Sequence, residues 1–441
     1  MKKVITYGTY DLIHRGHIRL LERAKALGDY LIVGVTADGF DRTRGKINVV
    51  QSLMERIEGV RNTGLADEIV VEEYEGQKID DIRRFGVDIF AIGSDWVGKF
   101  DYLNEFCHVV YLDRTEGVSS TEIRSKLSSL RLGIIGESNF SRKVIEEGKK
   151  VNGIIISGVY SKDSTPSSEY QSFQSVDDLL EASDAVYVYS IPYDHYELTK
   201  KALQKGKHVL CESPIALSKE QASELLALAK EKDLVLFDGI KTGYSIAYYR
   251  LLLLLKSGII GDVVSISSTC TSLSDLSRKE EYCTEKLWNS ITDWGPTGLL
   301  PIFQILGTDY KASTISSRIL SEKPLMDSFT KISLVYENAV ADVLVGKGIK
   351  SEGELIIAGT NGYVFVPAPW WKTEYFEVRY EDSTKNRRYF YQLEGEGIRY
   401  ELLAFFQSIE KGISMKYIED ETSLGIVGIM EKVYNKEVNR L

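Results

Sequence analysis

The stretch that decides the fold is YGTYDLIHRGHIRLLERAK, Tyr7–Lys25. It begins inside KVITYG, an apolar run that reads as a strand, and continues into HIRLLERAKALG, an amphipathic helix that ends at Gly28. Between them stand His14 and His17, two of the five histidines, with only Arg15 and Gly16 separating them. In a doubly wound sheet, ligands sit beyond the carboxyl ends of the strands, where helices begin. A helix start presents unpaired N–H groups and a partial positive charge, which suits phosphate. Gly16 would let a phosphate approach the backbone, and two imidazoles beside it could neutralise charge on a triphosphate; the plainer alternative is that one histidine caps the helix and the other packs.

Working outward, residues 1–129 alternate strand and helix in the manner of a parallel sheet. At Arg131 the alternation restarts with RLGIIGESNFSRKVIEEG, predicting a second doubly wound domain over 130–245. From 246 to 441 β-rich stretches follow one another, among them FTKISLVYENAVADVLVGKG and GELIIAGTNGYVFVP, before the helix GIRYELLAFFQSIEKG. That texture predicts an α+β domain with a large antiparallel sheet and helices on one face. The fold class is therefore α/β throughout the first two domains, with a sheet domain after them.

The bulk composition narrows the function. The chain has 441 residues, 43% hydrophobic and 27% charged, which suits a multidomain globular protein. A net charge of −10 leaves no general field for nucleic acid or an anionic membrane, so an anionic substrate must be gripped locally. The start MKKVITYGTYD lacks the apolar core of a signal peptide, and LLLLL at 251–255 is too short to span a bilayer. Cys107, Cys211, Cys270 and Cys283 have no metal-ligand spacing and read as buried thiols of a reducing cytoplasm.

Two further clusters bear on phosphate. RTEGVSSTEIR, Arg114–Arg124, sets Ser119, Ser120 and Thr121 between two arginines at the start of a helix. Hydroxyls there serve as caps, but three beside two cations exceed what a cap needs. Arg42, Arg44 and Lys46 gather in RTRGK, where a solvated loop is the plainer reading.

GTYDLIHRGH together with RTEGVSST resembles the glycerol-3-phosphate cytidylyltransferase family, and the likeness runs from Met1 to about Leu127 through LLERAKALGDYLIVGVT and WVGKFDYL. The resemblance implies transfer of CMP from CTP to a polyol phosphate, giving a CDP-polyol and pyrophosphate. It implies CTP-binding positions at Thr9, Tyr10, His14, Arg15, Gly16, His17, Lys46, Arg114, Thr115, Glu116, Gly117, Val118, Ser119, Ser120 and Thr121, with His14, His17, Lys46, Arg114 and Thr121 serving catalysis. Arg44 and Lys78 fall on the substrate-phosphate positions. Arg44 stands where close relatives have lysine, and Gly64 stands where the family has an arginine, with Arg61 one turn earlier as a substitute. Mg²⁺ would bridge phosphate oxygens, with Asp11 or Asp95 helping to hold it.

From Arg131 onward SIPYDHYELTKKALQKGKHVLCESPIALSKEQASELLALAKE, SGIIGDV and TDWGPTGLLP resemble the glucose–fructose oxidoreductase and inositol dehydrogenase (Gfo/Idh/MocA) family. The family's G-x-G-x-x-G turn is GESNFS here, with Gly136 followed by Ser138, Asn139 and Ser141. The strand that ordinarily ends in a ribose-binding acid ends instead at Ser161 and Lys162, which favours NADP over NAD. Pro192, His195 and Glu212 match the remaining cofactor positions. The catalytic lysine of the Glu-Lys-Pro run is Ser213, and the family histidine is Thr297, four residues after Asp293. Lys241, Asp293 or a water is left to supply a proton.

The resemblances imply a bifunctional enzyme, whose reductase half makes a polyol phosphate from a keto-sugar phosphate and whose transferase half activates it, for a surface polymer such as teichoic acid or capsule. The alternative is a cytidylyltransferase whose second half is a non-catalytic binding or assembly module. An apolar sheet face in YVFVPAPWW and VADVLVG predicts a homo-oligomer, a dimer or larger.

Overall fold

Strand β1 (Lys3–Gly8) lies at the centre of a five-stranded parallel sheet, with Val4 and Ile5 sealed on its opposite faces. Burial on both faces is why it reads as a continuous apolar run. The computed structural model describes the whole chain except residues 38–48, 50, 52, 74–75, 114–128, 137–138, 152, 162–169, 274–288, 323–324, 392, 394 and 413. It divides into two units, Met1–Ser129 and Leu130–Leu441.

In the first unit β1 leads to α1 (Arg15–Lys25), β2 (Tyr30–Thr36), α2 (Leu53–Asn62), β3 (Glu68–Glu72), α3 (Gln77–Phe85), β4 (Ile89–Gly93) and β5 (His108–Leu112). The strand order is β3-β2-β1-β4-β5. One apolar cluster, with Val4, Leu21 and Val33, fills one side of the sheet; a second, with Ile5, Ile32 and Phe90, fills the other. The chain winds outward from β1 to β3, then returns to pair β4 with the free side of β1. The switch point therefore lies at the carboxyl end of β1, which is where α1 begins.

The second unit opens with β6 (Leu130–Ile135), α4 (Asn139–Gly148), β7 (Ile154–Tyr160), α5 (Val176–Ala182), β8 (Ala185–Val188), α6 (Pro192–Gln204), β9 (His208–Glu212), α7 (Lys219–Glu231) and β10 (Leu236–Gly239). These strands are parallel in the order β10-β9-β8-β6-β7, with the switch point between β6 and β8. A nine-stranded sheet follows. Its elements are α8 (Ile246–Lys256), β11 (Val263–Thr271), α9 (Ser290–Leu306), β12 (Ala312–Glu322), β13 (Leu325–Val335), β14 (Val340–Gly346), β15 (Leu355–Gly359), β16 (Tyr363–Val366), β17 (Tyr375–Arg379), β18 (Arg387–Phe390), α10 (Ile398–Lys411), α11 (Asp420–Tyr434) and β19 (Asn439–Arg440).

The large sheet is mixed rather than purely antiparallel. β11 pairs parallel with β14, and β12 pairs parallel with β19. A parallel neighbour needs a crossover, which the segment containing α9 and the β12–β13 hairpin supplies for β11 and β14. Helix α9 lies on the inner face, where Gly298 approaches Val343 and Val345 of β14. Of the two stretches behind the expected oligomer, Val364, Val366, Trp370, Ala341, Val343 and Val345 are buried in their own unit's core, while Val340 is exposed. Outward-facing Phe365 and Tyr363 are covered by the Arg379 guanidinium, 4.6 and 5.9 Å from their ring centroids. Among the described residues no helix is long and apolar enough to cross a membrane. Cys211 and Cys270 are buried, Cys107 is half-buried, and Cys283 lies outside the described residues.

Candidate active sites

In the first unit the loop from β1 to α1 is built with care. Tyr10 and Leu12 adopt left-handed backbone, φ +54° and +47°, a conformation that L side chains avoid. Two devices hold it. Arg56, fully buried on α2, donates from Nη1 to the carbonyls of Thr9 at 2.7 Å and Thr36 at 2.8 Å, tying the ends of β1 and β2 together. Gln51 accepts from the Leu12 N–H at 2.7 Å and donates its own N–H to Asp11 Oδ1 at 3.0 Å.

His14 is the N-cap of α1. Its Nδ1 accepts the Gly16 N–H at 3.0 Å, which leaves Nε2 as the nitrogen that carries a proton in the neutral ring. Gly16 thus gives its N–H to the cap. His17 stacks on His14, and Tyr10 meets His17 edge-on with ring centroids 5.5 Å apart. Tyr10 is 1% exposed and burial pushes its phenol up, so its ring braces His17 from the core. Arg15 is exposed on the first turn.

Lys78, at the start of α3, is buried and ion-paired to Glu72 at the end of β3. Its ammonium lies 4.6 Å from the Tyr7 ring centroid. Around it Thr36 donates to Glu72 at 2.9 Å, while Tyr7 and Gln77 donate to Asp81 at 2.8 and 3.1 Å. Arg61, the candidate substitute for the missing arginine, lies in the last turn of α2 and pairs with Glu58 on the surface. Arg44, Lys46 and Arg114–Thr121 lie outside the described residues. Among the described residues no group of three metal-binding side chains forms. A Mg²⁺ that enters on a triphosphate needs only one or two carboxylates. Asp95, exposed just beyond β4, suits this better than Asp11, which is buried and holds the loop.

In the second unit a cavity of about 480 Å³ opens at the carboxyl ends of β8, β9 and β10. It brings together Pro192, His195, Glu212, Lys241, Asp293 and Thr297, which are scattered over 106 positions of sequence. Gly136 ends β6 at φ +105°, and a Cβ there would fall 1.5 Å from the Tyr189 carbonyl oxygen. This glycine is obligatory, and α4 begins three residues later. A tight glycine turn feeding a helix start at the switch point fits a dinucleotide pyrophosphate. Asn139 opens α4, Ser161 is half-buried just beyond β7, and Ser138 and Lys162 lie outside the described residues.

The electrostatics of this cavity differ from the sequence-based expectation. His195 is buried, with Nδ1 2.8 Å from the Pro214 carbonyl and Nε2 3.0 Å from the Ser190 carbonyl, and burial lowers its pKa. It joins two strand ends and is a positioning residue. Lys241 pairs with Glu396 at 3.0 Å, and Asp293 pairs with Lys347. Glu212 receives the Tyr187 hydroxyl, and burial pushes its carboxyl up to about 7, so near neutrality it has a proton to give. Sequence reasoning missed Lys347, Lys372 and Glu396, which no local pattern marks. It also missed Trp294 and Trp371, which wall the cavity with ring centroids 4.7 Å apart.

Comparison with known proteins agrees with this division. The cytidylyltransferase-like family model matches residues 5–126, and the model of the oxidoreductase family with an NAD-binding Rossmann fold matches residues 130–240. Glycerol-3-phosphate cytidylyltransferase of Bacillus spizizenii is 50% identical over 130 residues, 30% of this chain and all of its own length. Glucose-6-phosphate 3-dehydrogenase of Bacillus subtilis is 26% identical over 204 residues, 43% of this chain and 57% of its own length. A 3-ketoreductase from Actinomadura kijaniata, solved with NADP and TDP-benzene, superposes with a TM-score of 0.63 at 18% identity, covering 71% of this chain and 99% of its own, a likeness of fold. The chain belongs, through its first 130 residues, to the family of the glycerol-3-phosphate cytidylyltransferases, and it carries a Gfo/Idh/MocA-type oxidoreductase domain after them.

Proposed function

We propose that the first unit transfers CMP from CTP to a polyol phosphate, and that the second uses NADP(H) to make that polyol phosphate from a keto-sugar phosphate. The observation that carries the reading is the stacked His14–His17 pair at a helix N-terminus on the switch point. The acceptor phosphate attacks the α-phosphorus in line, a P–O bond forms, and pyrophosphate leaves. His14, through Nε2, and His17 stabilise the leaving phosphates, while Lys78 meets the acceptor phosphate. No covalent intermediate is required, because positioning and charge stabilisation suffice.

In the second unit, Gly136 and the start of α4 would hold the dinucleotide, with Ser161 toward its ribose. The cofactor, when bound, supplies the hydride. The chain's own task is to orient the carbonyl and deliver a proton to its oxygen. Lys241 and Asp293 are both ion-paired, so the proton is assigned to Glu212, whose carboxyl is poised near neutrality. The product class suits supply of an activated polyol to a surface polymer in the cytoplasm.

Pyrophosphate release with CTP and a panel of polyol phosphates tests the first half, and NADPH oxidation with ketose phosphates tests the second. Ser213 and Thr297, in place of the family's lysine and histidine, favour the second reading, a non-catalytic module. If neither NADPH nor NADH binds at millimolar concentration, that second reading takes over.

A further inference from the structure

Glu396, Lys241 and Lys372 line the second unit's cavity, and with the more exposed Lys143, which does not line it, three ammonium groups converge on the Glu396 carboxylate. Lys372 Nζ lies 2.8 Å from Glu396 Oε1, Lys241 Nζ 3.0 Å from Oε2, and Lys143 Nζ 3.2 Å from Oε1. The three lysines come from α4, from the turn after β10 and from the turn between β16 and β17. Glu396 itself sits in left-handed backbone, φ +53°, between Gly395 at +59° and Gly397 at +90°. A Cβ at 395 would fall 2.2 Å from Glu147 Oε2, and one at 397 would fall 2.6 Å from the Lys241 carbonyl oxygen. The turn is thus wedged against α4 and the end of β10, and its carboxylate is held in one place at the expense of an unfavourable backbone.

Closing a surface loop does not need such an arrangement, but gathering cations does. Burial would raise the Glu396 carboxyl, yet Lys372, Lys241 and Lys143 hold it down at about 2, so it stays ionised at working pH. Three ammoniums against one carboxylate leave a net charge of +2 in a chain whose overall charge is −10. Each ammonium has three donors, and Glu396 takes one from each. The Phe140 ring, 4.8 Å from Lys241 Nζ, further fixes that side chain. A charge of +2 with several donors matches the dianion and the acceptor oxygens of a phosphate monoester.

We propose that Lys143, Lys241 and Lys372 form a binding site for a phosphate monoester carried by the carbonyl substrate, with Glu396 as the fixed template that spaces them. The identity of the bound molecule as substrate rests on the reductase reading above. The anion site itself does not. A phosphate of the cofactor is the other source of the same chemistry, and the test separates the two.

The intact chain, with CDP-glycerol present to fill the first unit, is titrated calorimetrically with inorganic phosphate, fructose 6-phosphate and fructose. Binding of the two phosphates without fructose is expected. Lys143→Met and Lys372→Met should each weaken fructose 6-phosphate by about tenfold or more. Glu396→Gln, which leaves the lysines in place and removes a negative charge, should bind at least as tightly as the wild type. Pyrophosphate release from CTP and the thermal unfolding transition report that the variants are folded. Failure of both phosphates to bind, or unchanged affinity in both lysine variants, overturns the site. Loss of NADPH affinity relative to NADH in Lys372→Met would give the site to the cofactor and overturn its assignment to the substrate. Fructose 6-phosphate that binds without NADPH oxidation sinks the reductase reading and leaves the anion site standing.

Discussion

His14 and His17 stack with ring centroids 3.9 Å apart and planes inclined by 20°. One ring caps the helix and the other leans on it, so the cap and the proposed phosphate-stabilising group are the same structure. Two effects must therefore be separated in any variant. His14→Ala removes both, and turnover should fall by about 10²-fold, as for other lost charge-stabilising donors. His14→Asn keeps a cap, since asparagine is among the best N-cap residues, but lacks the ring. It should recover thermal stability without recovering turnover. Pyrophosphate release followed alongside the melting temperature distinguishes the two, and near-normal kcat in both variants would remove the assigned role.

Lys78 and Glu72 pose a similar question in a buried setting, because their side chains are only 8% and 1% exposed. Lys78→Ala is expected to raise KM for the polyol phosphate and not for CTP. It should also destabilise the first unit, since an unpaired buried carboxylate costs about 3–5 kcal/mol. Adding Glu72→Gln should restore the melting temperature but not KM. Recovery of both would mean that Lys78 acts only as the partner of Glu72.

How much of this was legible depends on the range of each interaction. KVITYG and HIRLLERAKALG announced β1 and α1 because burial on both faces of a strand and on one stripe of a helix leaves local periodicities. The structure starts that helix two residues earlier, at Arg15, which makes His14 its cap. Arg56 and Glu72 left no such trace, since a buried arginine serving the Thr9 carbonyl looks in sequence like any surface arginine of an amphipathic helix. The mixed character of the large sheet was hidden for another reason. The pairing of Ser265 with Val340 joins residues 75 apart, and strand direction is set by the crossover between them and not by either strand's composition. Helix α9 contains Pro296 and Pro301, which argue against a helix locally. It forms because Asn289 caps it, accepting the Thr292 N–H at 2.6 Å, and because its apolar face is buried against the sheet and α11. In the second site the sequence marked Lys241 and Asp293 but not their ion-pair partners Glu396 and Lys347, which come from distant segments of the sheet domain.

Gly136 is the sharpest single test of the dinucleotide turn. A methyl group there cannot be placed 1.5 Å from the Tyr189 oxygen without moving the ends of β6 and β8 apart. Gly136→Ala should abolish NADP(H) binding by isothermal titration while leaving pyrophosphate release from CTP at its wild-type rate. Retention of NADPH affinity within a few-fold would place the cofactor elsewhere.

Three buried carboxyls beneath the second cavity tie its stability to pH. Burial raises Glu212 to about 7 and Asp238 to about 6. Burial, with the charge of nearby Glu212 adding to it, also raises Glu401 well above its ordinary value, and Glu401 Oε1 has no hydrogen-bond partner among the described residues. A carboxyl raised in the folded state holds its proton more tightly there than in the unfolded chain. Between the ordinary values of 3.8 and 4.5 and about 7, the folded unit therefore binds more protons than the unfolded one. These carboxyls therefore make stability fall as pH rises through this window, the reverse of the salt-bridged carboxylates that dominate acid unfolding, while His195 and His208, whose pKa burial lowers, act in the opposite sense below the ordinary histidine value. The unfolding transition of the second unit is expected to lie a few degrees higher at pH 6 than at pH 8. Glu401→Gln keeps the shape and removes the charge. It should raise the transition at pH 8 and flatten its dependence on pH, while a transition that climbs steadily from pH 6 to pH 8 in the wild type would show that these carboxyls are ionised in the folded chain.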